Sequence, residues 1–378
     1  MKRTLAFVFA LVLAFACVAS AVAEDSFTVG MIGPLTGPYA IYGEAAVNGA
    51  KIAAEEINAL GGIQFEIIAK DDEGSGEKGI NAYNIILDNG AVCILGTVTS
   101  GSCDAVATVA NEDRVFMLTP TASGDYVIED RDNVFQVCFK DSNQGEASAQ
   151  YIFDNALGTK VGIIYNNSLD YSLGIRKTFK AKADELGLEI VAESSFSDDQ
   201  NADFSAQITA MKEAGADIVF LPIYYTPAAM ILTQSNQVGY DPIFFGVDGM
   251  DGILAMEGFD KTLAEGVMLL VPFSADSADE NVQSFVSKYV ALYGETPNQF
   301  AADGYDGMYA LYEAFNRSGL EYGTAAEEAC DILIETFQAD DFEITGVTGI
   351  MSWDETGAVT KTPLAVVIKD GVYVLYTK

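Results

Sequence analysis

The stretch Phe27-Thr-Val-Gly-Met-Ile-Gly33-Pro-Leu-Thr-Gly37-Pro-Tyr-Ala-Ile-Tyr42-Gly43 decides the fold class, because an apolar run ends in an uncharged loop rich in glycine, hydroxyls and aromatics. Two later loops, Gly96-Thr-Val-Thr-Ser-Gly-Ser102 and Thr119-Pro-Thr-Ala-Ser-Gly124, also follow short apolar runs and lead towards helical patterns. In open α/β sheets a ligand binds where strands end and helices begin, and the free N–H groups of a helix start favour anionic groups. We therefore expect these loops to cradle a small ligand.

Apolar runs alternate with amphipathic helical stretches along most of the chain, which predicts parallel sheets covered by helices on both faces. The predicted strands are Phe27–Gly33, Phe65–Lys70, Val92–Gly96, Val115–Leu118, Lys160–Tyr165, Glu189–Ala192, Asp217–Pro222 and Pro242–Gly246. The predicted helices are Glu44–Leu60, Glu77–Asn89, Gln144–Asn155, Leu173–Leu186, Phe204–Ala214, Ala228–Val238, Asn281–Tyr293 and Phe300–Asn316. Two further strand regions, Ile344–Trp353 and Ala365–Tyr376, are predicted in the tail.

The alternation restarts near Lys160, which predicts two lobes. Two polar segments, Asp141-Ser-Asn-Gln-Gly145 and Pro272-Phe-Ser-Ala-Asp276, are the expected crossovers between them. We expect residues 24–142 plus 273–343 to form lobe 1, and residues 143–272 plus 344–378 to form lobe 2. Each lobe is predicted to be a mainly parallel sheet flanked by helices, and the usual motion of such a pair is hinge closure around a ligand.

Residues 1–23 have the pattern of a secretory signal peptide. Lys2 and Arg3 precede an apolar run from Leu5 to Val18, and Ala21-Val22-Ala23 provides a cleavage site. A membrane anchor is the alternative, although the apolar run is short for a bilayer span. Lipid attachment at Cys17 is a minority alternative, since the leucine expected before such a cysteine is missing. We expect an exported protein, periplasmic or otherwise extracytoplasmic.

Composition excludes several classes of function. The chain has 55 acidic and 20 basic residues and no histidine, for a net charge of −35. A polyanion repels nucleic acid, so no nucleic-acid partner is expected. Without histidine a Ser-His-Asp or Cys-His arrangement cannot form, and neither a phosphate-binding loop nor a Rossmann fingerprint is present. The sequence therefore predicts a binding protein without a cofactor rather than an enzyme.

The cysteines and carboxylates give no sign of a metal site. Four cysteines follow the leader, and their spacings match no zinc pattern. They are Cys93, Cys103, Cys138 and Cys330. An exported chain could oxidise them, but Cys93 lies in a strand-like run, so a buried thiol and a disulfide both stay open. The spacing of Asp248 and Asp251 is not that of a calcium-binding EF-hand loop.

Hydroxyls and carboxylates in the strand-end loops are the candidate ligand groups. Ser100 could cap its own helix, or it could accept a ligand carboxylate together with loop N–H groups. Thr121 and Ser123 follow the next strand, and each could likewise either cap local structure or bind the ligand carboxylate. Asp248 follows a predicted strand between glycines, so it is either a turn residue or the partner of an ammonium group, with Asp251 as a weaker alternative.

Three tyrosines accompany these groups. Tyr42 lies in the first loop, and Tyr171 and Tyr224 each follow a predicted strand of lobe 2. They could be ordinary core or surface aromatics. As cleft residues they would provide apolar walls with a polar tip and faces that attract an ammonium group.

Taken together, these segments resemble the periplasmic branched-chain amino-acid-binding proteins, the solute receptors of ABC importers. The similar segments are Ile32-Gly-Pro-Leu-Thr-Gly37, Tyr42-Gly43, Asn48-Gly-Ala50, Glu56-Ile-Asn-Ala-Leu-Gly-Gly-Ile63, Asp71-Asp72, Gly96…Ser100, Asp141-Ser-Asn-Gln-Gly145 and Tyr224-Tyr225. The resemblance implies a two-lobed type I binding protein that closes on a free amino acid, branched-chain or otherwise apolar. It also implies a monomer that delivers the ligand to ABC permease subunits.

The resemblance assigns roles to particular residues. It implies that Ser100, Ser123 and the backbone around Thr121 and Ala122 hold the ligand carboxylate. Tyr171, Tyr224 and Asp248 would hold the ammonium group, and Tyr42 would lie near the side chain, with Val98, Thr99 and Phe300 as further residues of that subpocket.

The chain also departs from the family. Relatives commonly have Glu at position 248, and some have a cleft disulfide where this chain has Gly74 and Thr99. The resemblance therefore leaves open a sensory protein, a receptor for a small amide, urea or an aromatic acid, and a small-amide hydrolase.

Overall fold

The computed structural model describes residues 26–377. Its strands are β1 (Phe27–Gly33), β2 (Phe65–Asp71), β3 (Ala91–Gly96), β4 (Met117–Thr119), β5 (Val134–Gln136), β6 (Lys160–Asn166), β7 (Glu189–Phe196), β8 (Ile218–Leu221), β9 (Ile243–Gly246), β10 (Met268–Val271), β11 (Glu343–Gly346), β12 (Gly349–Ser352), β13 (Leu364–Lys369) and β14 (Val372–Leu375). One sheet is parallel throughout, in the order β2-β1-β3-β4-β5. The other has the order β14-β13-β10-β9-β8-β6-β7, with an antiparallel edge at β13 and β14. The predicted fold class, two mainly parallel sheets flanked by helices, is confirmed.

Helices cover both faces of the sheets. They are α1 (Ala40–Ala59), α2 (Gly76–Asp88), α3 (Ser100–Glu112), α4 (Asp141–Asn155), α5 (Asp170–Leu186), α6 (Ser205–Ala214), α7 (Tyr225–Gln237), α8 (Glu280–Tyr293), α9 (Gln299–Ser318) and α10 (Ala326–Phe337). All six residues of β3 are buried, as expected for a parallel strand covered on both sides. The segment 141–145, expected to be a crossover, is instead the first turn of α4.

Helices α1 and α9 cross closely because glycine faces backbone at the crossing. A Cβ atom on Gly49 would lie 1.8 Å from the Ala301 carbonyl oxygen, and one on Gly304 would lie 2.1 Å from that of Ala46. Any larger residue would push the two helices apart. This contact fixes the N-terminal ends of α1 and α9 beside each other.

The tail divides between the two sheets. The hairpin β11–β12 leads to Trp353, whose indole N–H donates to the Gln136 carbonyl oxygen at 2.7 Å. The Trp353 ring packs on Phe337 and Phe342 in the core of the first sheet. The chain therefore reaches the second sheet only at β13. The lobe division stays a prediction, and its boundary at residue 344 does not fit these contacts.

The segment that returns to β13 is anchored by a buried ion pair. Lys361 Nζ lies 2.8 Å from Asp303 Oδ1 on α9, and both side chains are almost completely buried. The nearby Asp306 carboxylate accepts the backbone N–H groups of Val347 and Thr348. Carboxylates of α9 thus hold two parts of the tail against the first sheet.

The predicted signal peptide and the alternative lipid anchor at Cys17 lie outside the described residues. Between residues 26 and 377, none of the helices combines the length and the apolar character that crossing a bilayer requires.

Candidate functional site

Side chains from both sheets meet in one small cavity at the carboxyl ends of the strands. The lining residues are Tyr42, Val98, Thr99, Ser100, Thr121, Ser123, Tyr171, Tyr224, Asp248, Gly249 and Phe300. They include seven of the eight predicted ligand residues, so the sequence-predicted groups converge in space. About 10 Å³ of the cavity admits the centre of a water molecule, which means that the two sides are packed closely together.

Two larger cavities lie away from these residues. One of about 610 Å³ is between α6, α7 and the segment 256–263, and another of about 590 Å³ lies beside residues 271–275. The small cavity remains the candidate site because it lies where strands of both sheets end, the expected place for a ligand in such folds.

One end of the site is the N-terminus of α3. The helix starts at Ser100, and no side chain caps it at Thr99. Ser100 therefore lies inside the first turn. The alternative that Ser100 caps its own helix is wrong. Its hydroxyl oxygen accepts the Gly124 N–H at 3.2 Å, which leaves its proton for a ligand. Uncapped N–H groups and the helix dipole make this end favourable for an anion.

The hydroxyl groups near the start of α3 differ in their hydrogen-bond partners. Thr121 Oγ1 donates to the Val98 carbonyl oxygen at 2.8 Å, whereas the buried Thr99 hydroxyl has no partner in the described chain. Ala122 does not line the cavity, and its N–H donates to Thr119 Oγ1 at 2.9 Å. The structure therefore does not place the Ala122 N–H at the site, where the resemblance expected it.

The opposite end of the site carries a buried carboxylate. Asp248 follows β9 and is 6% exposed. Its Oδ1 accepts the Tyr171 hydroxyl at 2.5 Å and the Gly249 N–H at 2.6 Å. Burial raises the pKa of Asp248 to about 6, although both hydrogen bonds act in the lowering direction. The Tyr224 ring stacks on Tyr171 at 4.8 Å between centroids, so the carboxylate lies at an aromatic wall.

A second buried carboxyl group, Asp141, was not among the predicted site residues. Its side chain is 1% exposed, and neither oxygen is in hydrogen-bond geometry with a partner among residues 26–377. Burial raises its pKa well above the ordinary value, the charge of Asp248 raises it further, and the nearby Ser123 hydroxyl lowers it. Asp141 comes shortly after the largely apolar segment 134–139, and this position after a strand was the available signal.

Gln144 connects α4 to the backbone of Asp248. Its side-chain oxygen accepts the Asp248 N–H at 3.3 Å, and its side-chain nitrogen is buried without a partner in the described chain. A buried polar group without a partner is costly. Unpartnered oxygens on Asp141 and an unpartnered amide on Gln144 therefore leave hydrogen-bonding capacity around Asp248.

Aromatic contacts close the site from the side of the first sheet. Tyr42 stacks on Phe300 with centroids 4.2 Å apart, and its hydroxyl donates to the Gly249 carbonyl oxygen across the cleft. A Cβ atom on Gly249 would lie 2.5 Å from Tyr171 Oη and 2.8 Å from Tyr224 Cδ1. Glycine is therefore the residue that fits between these rings.

The described residues contain no group of three or more potential metal ligands. The four cysteines are buried free thiols, and burial raises the pKa of Cys103 and that of Cys330 to about 12. Buried, protonated thiols are inert, so the cysteines take no part in the site.

Comparisons with known proteins identify the family and support the fold. A family model described as "Periplasmic binding protein" matches residues 26–367. The chain is 32% identical to Leu/Ile/Val-binding protein homolog 3 of Brucella melitensis over 90% of each chain. The structure resembles a leucine-binding protein, LivK, of Thermotoga maritima, with a TM-score of 0.83, 27% identity and 93% and 98% of the two chains covered. It also resembles LivJ of Streptococcus pneumoniae in complex with isoleucine, with a TM-score of 0.82, 28% identity and 92% and 97% covered.

Proposed function

The chain belongs to the periplasmic binding protein family, whose members are solute-binding receptors, and from this premise we propose that it is the amino-acid receptor of an ABC importer. Its ligand is a free α-amino acid with a branched-chain or other apolar side chain. The observation that carries the proposal is the polarity of one closed cavity, which has an uncapped helix start with hydroxyls at one end and the buried Asp248 carboxylate at the other.

The end of the site at the start of α3 favours anions and suits an α-carboxylate. The first N–H groups of α3 and the hydroxyls of Ser100 and Ser123 offer several donors without a cationic side chain, and the Thr99 hydroxyl is still unpartnered. A helix N-terminus stabilises an anion through its dipole and its free donors. We infer that Ser100, Ser123 and the segment around Thr121 form the carboxylate subsite, without the Ala122 N–H.

The acidic end suits an ammonium group. The pKa of Asp248 is raised to about 6, so its carboxyl group is ionised at neutral pH. An ammonium group would pair with the Asp248 carboxylate, and the Tyr171 and Tyr224 rings would favour the cation. This pairing would offset the cost of burying the charges. A ligand without an ammonium group would leave Asp248 unpaired.

The apolar wall indicates the ligand side chain. Tyr42, Phe300 and Val98 form a wall of the site that carries no charged side chain. This part of the site therefore suits an apolar ligand side chain. The space between the closed lobes is small, so entry of an amino acid requires them to separate and close again around it. Hinge closure is the established motion of two-lobed binding proteins.

Family membership indicates an extracytoplasmic place of action. We propose that this protein works there as a monomer, with or without a lipid anchor, and passes its ligand to ABC permease subunits. We assign it no catalytic step, because the sequence contains no histidine and the site places no base beside the Ser100 hydroxyl.

Calorimetric titration with the twenty amino acids tests the proposal. The mature protein is unfolded, stripped of co-purified ligand and refolded before each titration. Tight one-to-one binding of a few apolar amino acids is the expected result. Binding of an amide, urea or an aromatic acid with no heat from any amino acid would overturn the amino-acid assignment and leave the receptor class in place.

A further inference from the structure

A glutamine from the first lobe reaches across the cleft to the turn that carries Asp248. Gln299 is the first residue of α9 and is 2% exposed. Its side-chain nitrogen donates to the Asp248 carbonyl oxygen at 2.7 Å, and its backbone N–H donates to Asp251 Oδ2 at 2.8 Å. One residue thus makes two buried hydrogen bonds to both ends of the turn 248–251, which belongs to the opposite lobe.

The Asp251 carboxylate, one of the two acceptors, is buried and held by a second hydrogen bond. Asp251 is 5% exposed, and its other oxygen accepts the Gly252 N–H at 2.7 Å. Its charge faces the N-terminus of α9, where a carboxylate is favourable. Hydrogen bonds to a charged group are stronger than those between neutral groups. Neither contact uses a group that the proposed ligand needs, because the Asp248 side chain stays free of Gln299.

We propose that Gln299 is a positioning residue that holds the closed conformation and fixes Asp248 at the site, an inference that rests on the proposed receptor function. We call its two hydrogen bonds, to the Asp248 carbonyl and to the Asp251 carboxylate, the Gln299 latch. Hinge opening separates α9 from the turn 248–251, so the latch forms on closure. It slows ligand release without contacting the ligand.

The latch is tested by dissociation kinetics with leucine in two variants. Gln299→Met removes the side-chain donor at similar size, and Asp251→Asn removes the charge of the other acceptor. Gln299→Met is expected to raise the dissociation rate constant about tenfold, the effect of losing one such hydrogen bond. Asp251→Asn should raise it by a smaller factor, because the amide oxygen still accepts but without the charge. The association rate constant and the leucine-to-isoleucine affinity ratio should not change. Gln150→Met is the matched control, since the Gln150 amide donates to Asp154 on its own helix.

Small-angle X-ray scattering supplies a measurement that needs no ligand. The latch predicts a larger mean radius of gyration for both ligand-free variants than for the parent and for Gln150→Met. If the parent binds no amino acid, the proposed function fails, and the scattering still judges the latch. If folded variants release leucine at the parental rate and have the parental radius, the latch is refuted. Should Gln299→Met fail to fold, Asp251→Asn carries both measurements.

Discussion

Replacing Asp248 by asparagine should weaken ligand binding and strengthen the folded protein at the same time. The pKa of this carboxyl group rises from 3.8 to about 6 in the folded chain because of its burial. A raised folded pKa means that ionised Asp248 destabilises the fold above pH 6, and this penalty disappears below the unfolded pKa of about 4. The shift corresponds to about 3 kcal/mol at pH 7. Asn keeps the oxygen that accepts from Tyr171 and Gly249.

The expected result for Asp248→Asn is a gain of up to about 3 kcal/mol in the free energy of unfolding of the ligand-free protein at pH 7, shrinking towards zero near pH 3. Affinity for leucine should fall by about 3 kcal/mol, roughly a hundredfold, because the buried ammonium group loses its charged partner. Urea unfolding and calorimetry measure the two effects. Asp260→Asn is the control, since Asp260 is exposed and its carboxylate accepts hydrogen bonds from Thr262 in its own turn. Unchanged affinity, or loss of stability together with affinity, would refute the reasoning.

Three further predictions concern the space at Gly249, the pH dependence of leucine affinity and the buried Lys361–Asp303 ion pair. Gly249→Ala should abolish measurable leucine binding by displacing Tyr171, and a crystal structure with that ring unmoved would contradict this. Leucine affinity should be constant above about pH 6 and fall about tenfold per unit below it, because protonation of Asp248 competes with the ammonium group; a flat calorimetric profile down to pH 4.5 would be inconsistent with that role. Lys361→Met should lower the free energy of unfolding by about 3–5 kcal/mol, because it leaves the buried Asp303 carboxylate unpaired. The double change Lys361→Met with Asp303→Leu should recover most of this loss, and an equal loss in both variants would argue against the ion pair as its cause.

Much of the fold could be predicted because strong local signals agree with the tertiary structure. The strand Phe27–Gly33 has the predicted bounds, since an apolar run stops at a Gly-Pro pair. The predicted helix from residue 144 instead begins at Asp141. Asp, Ser, Asn and Gly are weak helix formers and typical turn residues. Their local propensity therefore predicts a loop over residues 141–145, where the structure has the first turn of α4. Three elements, β5 (Val134–Gln136), β10 (Met268–Val271) and α10 (Ala326–Phe337), were not predicted, although both strands are buried and the helix is apolar on one side.

The site could be predicted only where position along the chain carries the information. Ser100 and Asp248 were recognisable because each follows a strand, and strand ends meet at one edge of a sheet. Gln299 could not be recognised, because a polar residue in the first turn of a helix is ordinary, and its role arises only from the approach of the two lobes. Asp141 differs, because its position after a strand was a signal, although its unpartnered oxygens are visible only once its surroundings are known.

The most direct test of the central claim compares leucine with two analogues that each lack one charged group. 4-Methylpentanoate keeps the side chain and the carboxylate, and 3-methylbutylamine keeps the side chain and the ammonium group. The account predicts one-to-one binding of leucine and at least a hundredfold weaker binding of both analogues to the ligand-stripped protein, measured by calorimetry at pH 7.5. Binding of 4-methylpentanoate as tight as that of leucine would contradict an ammonium subsite at Asp248.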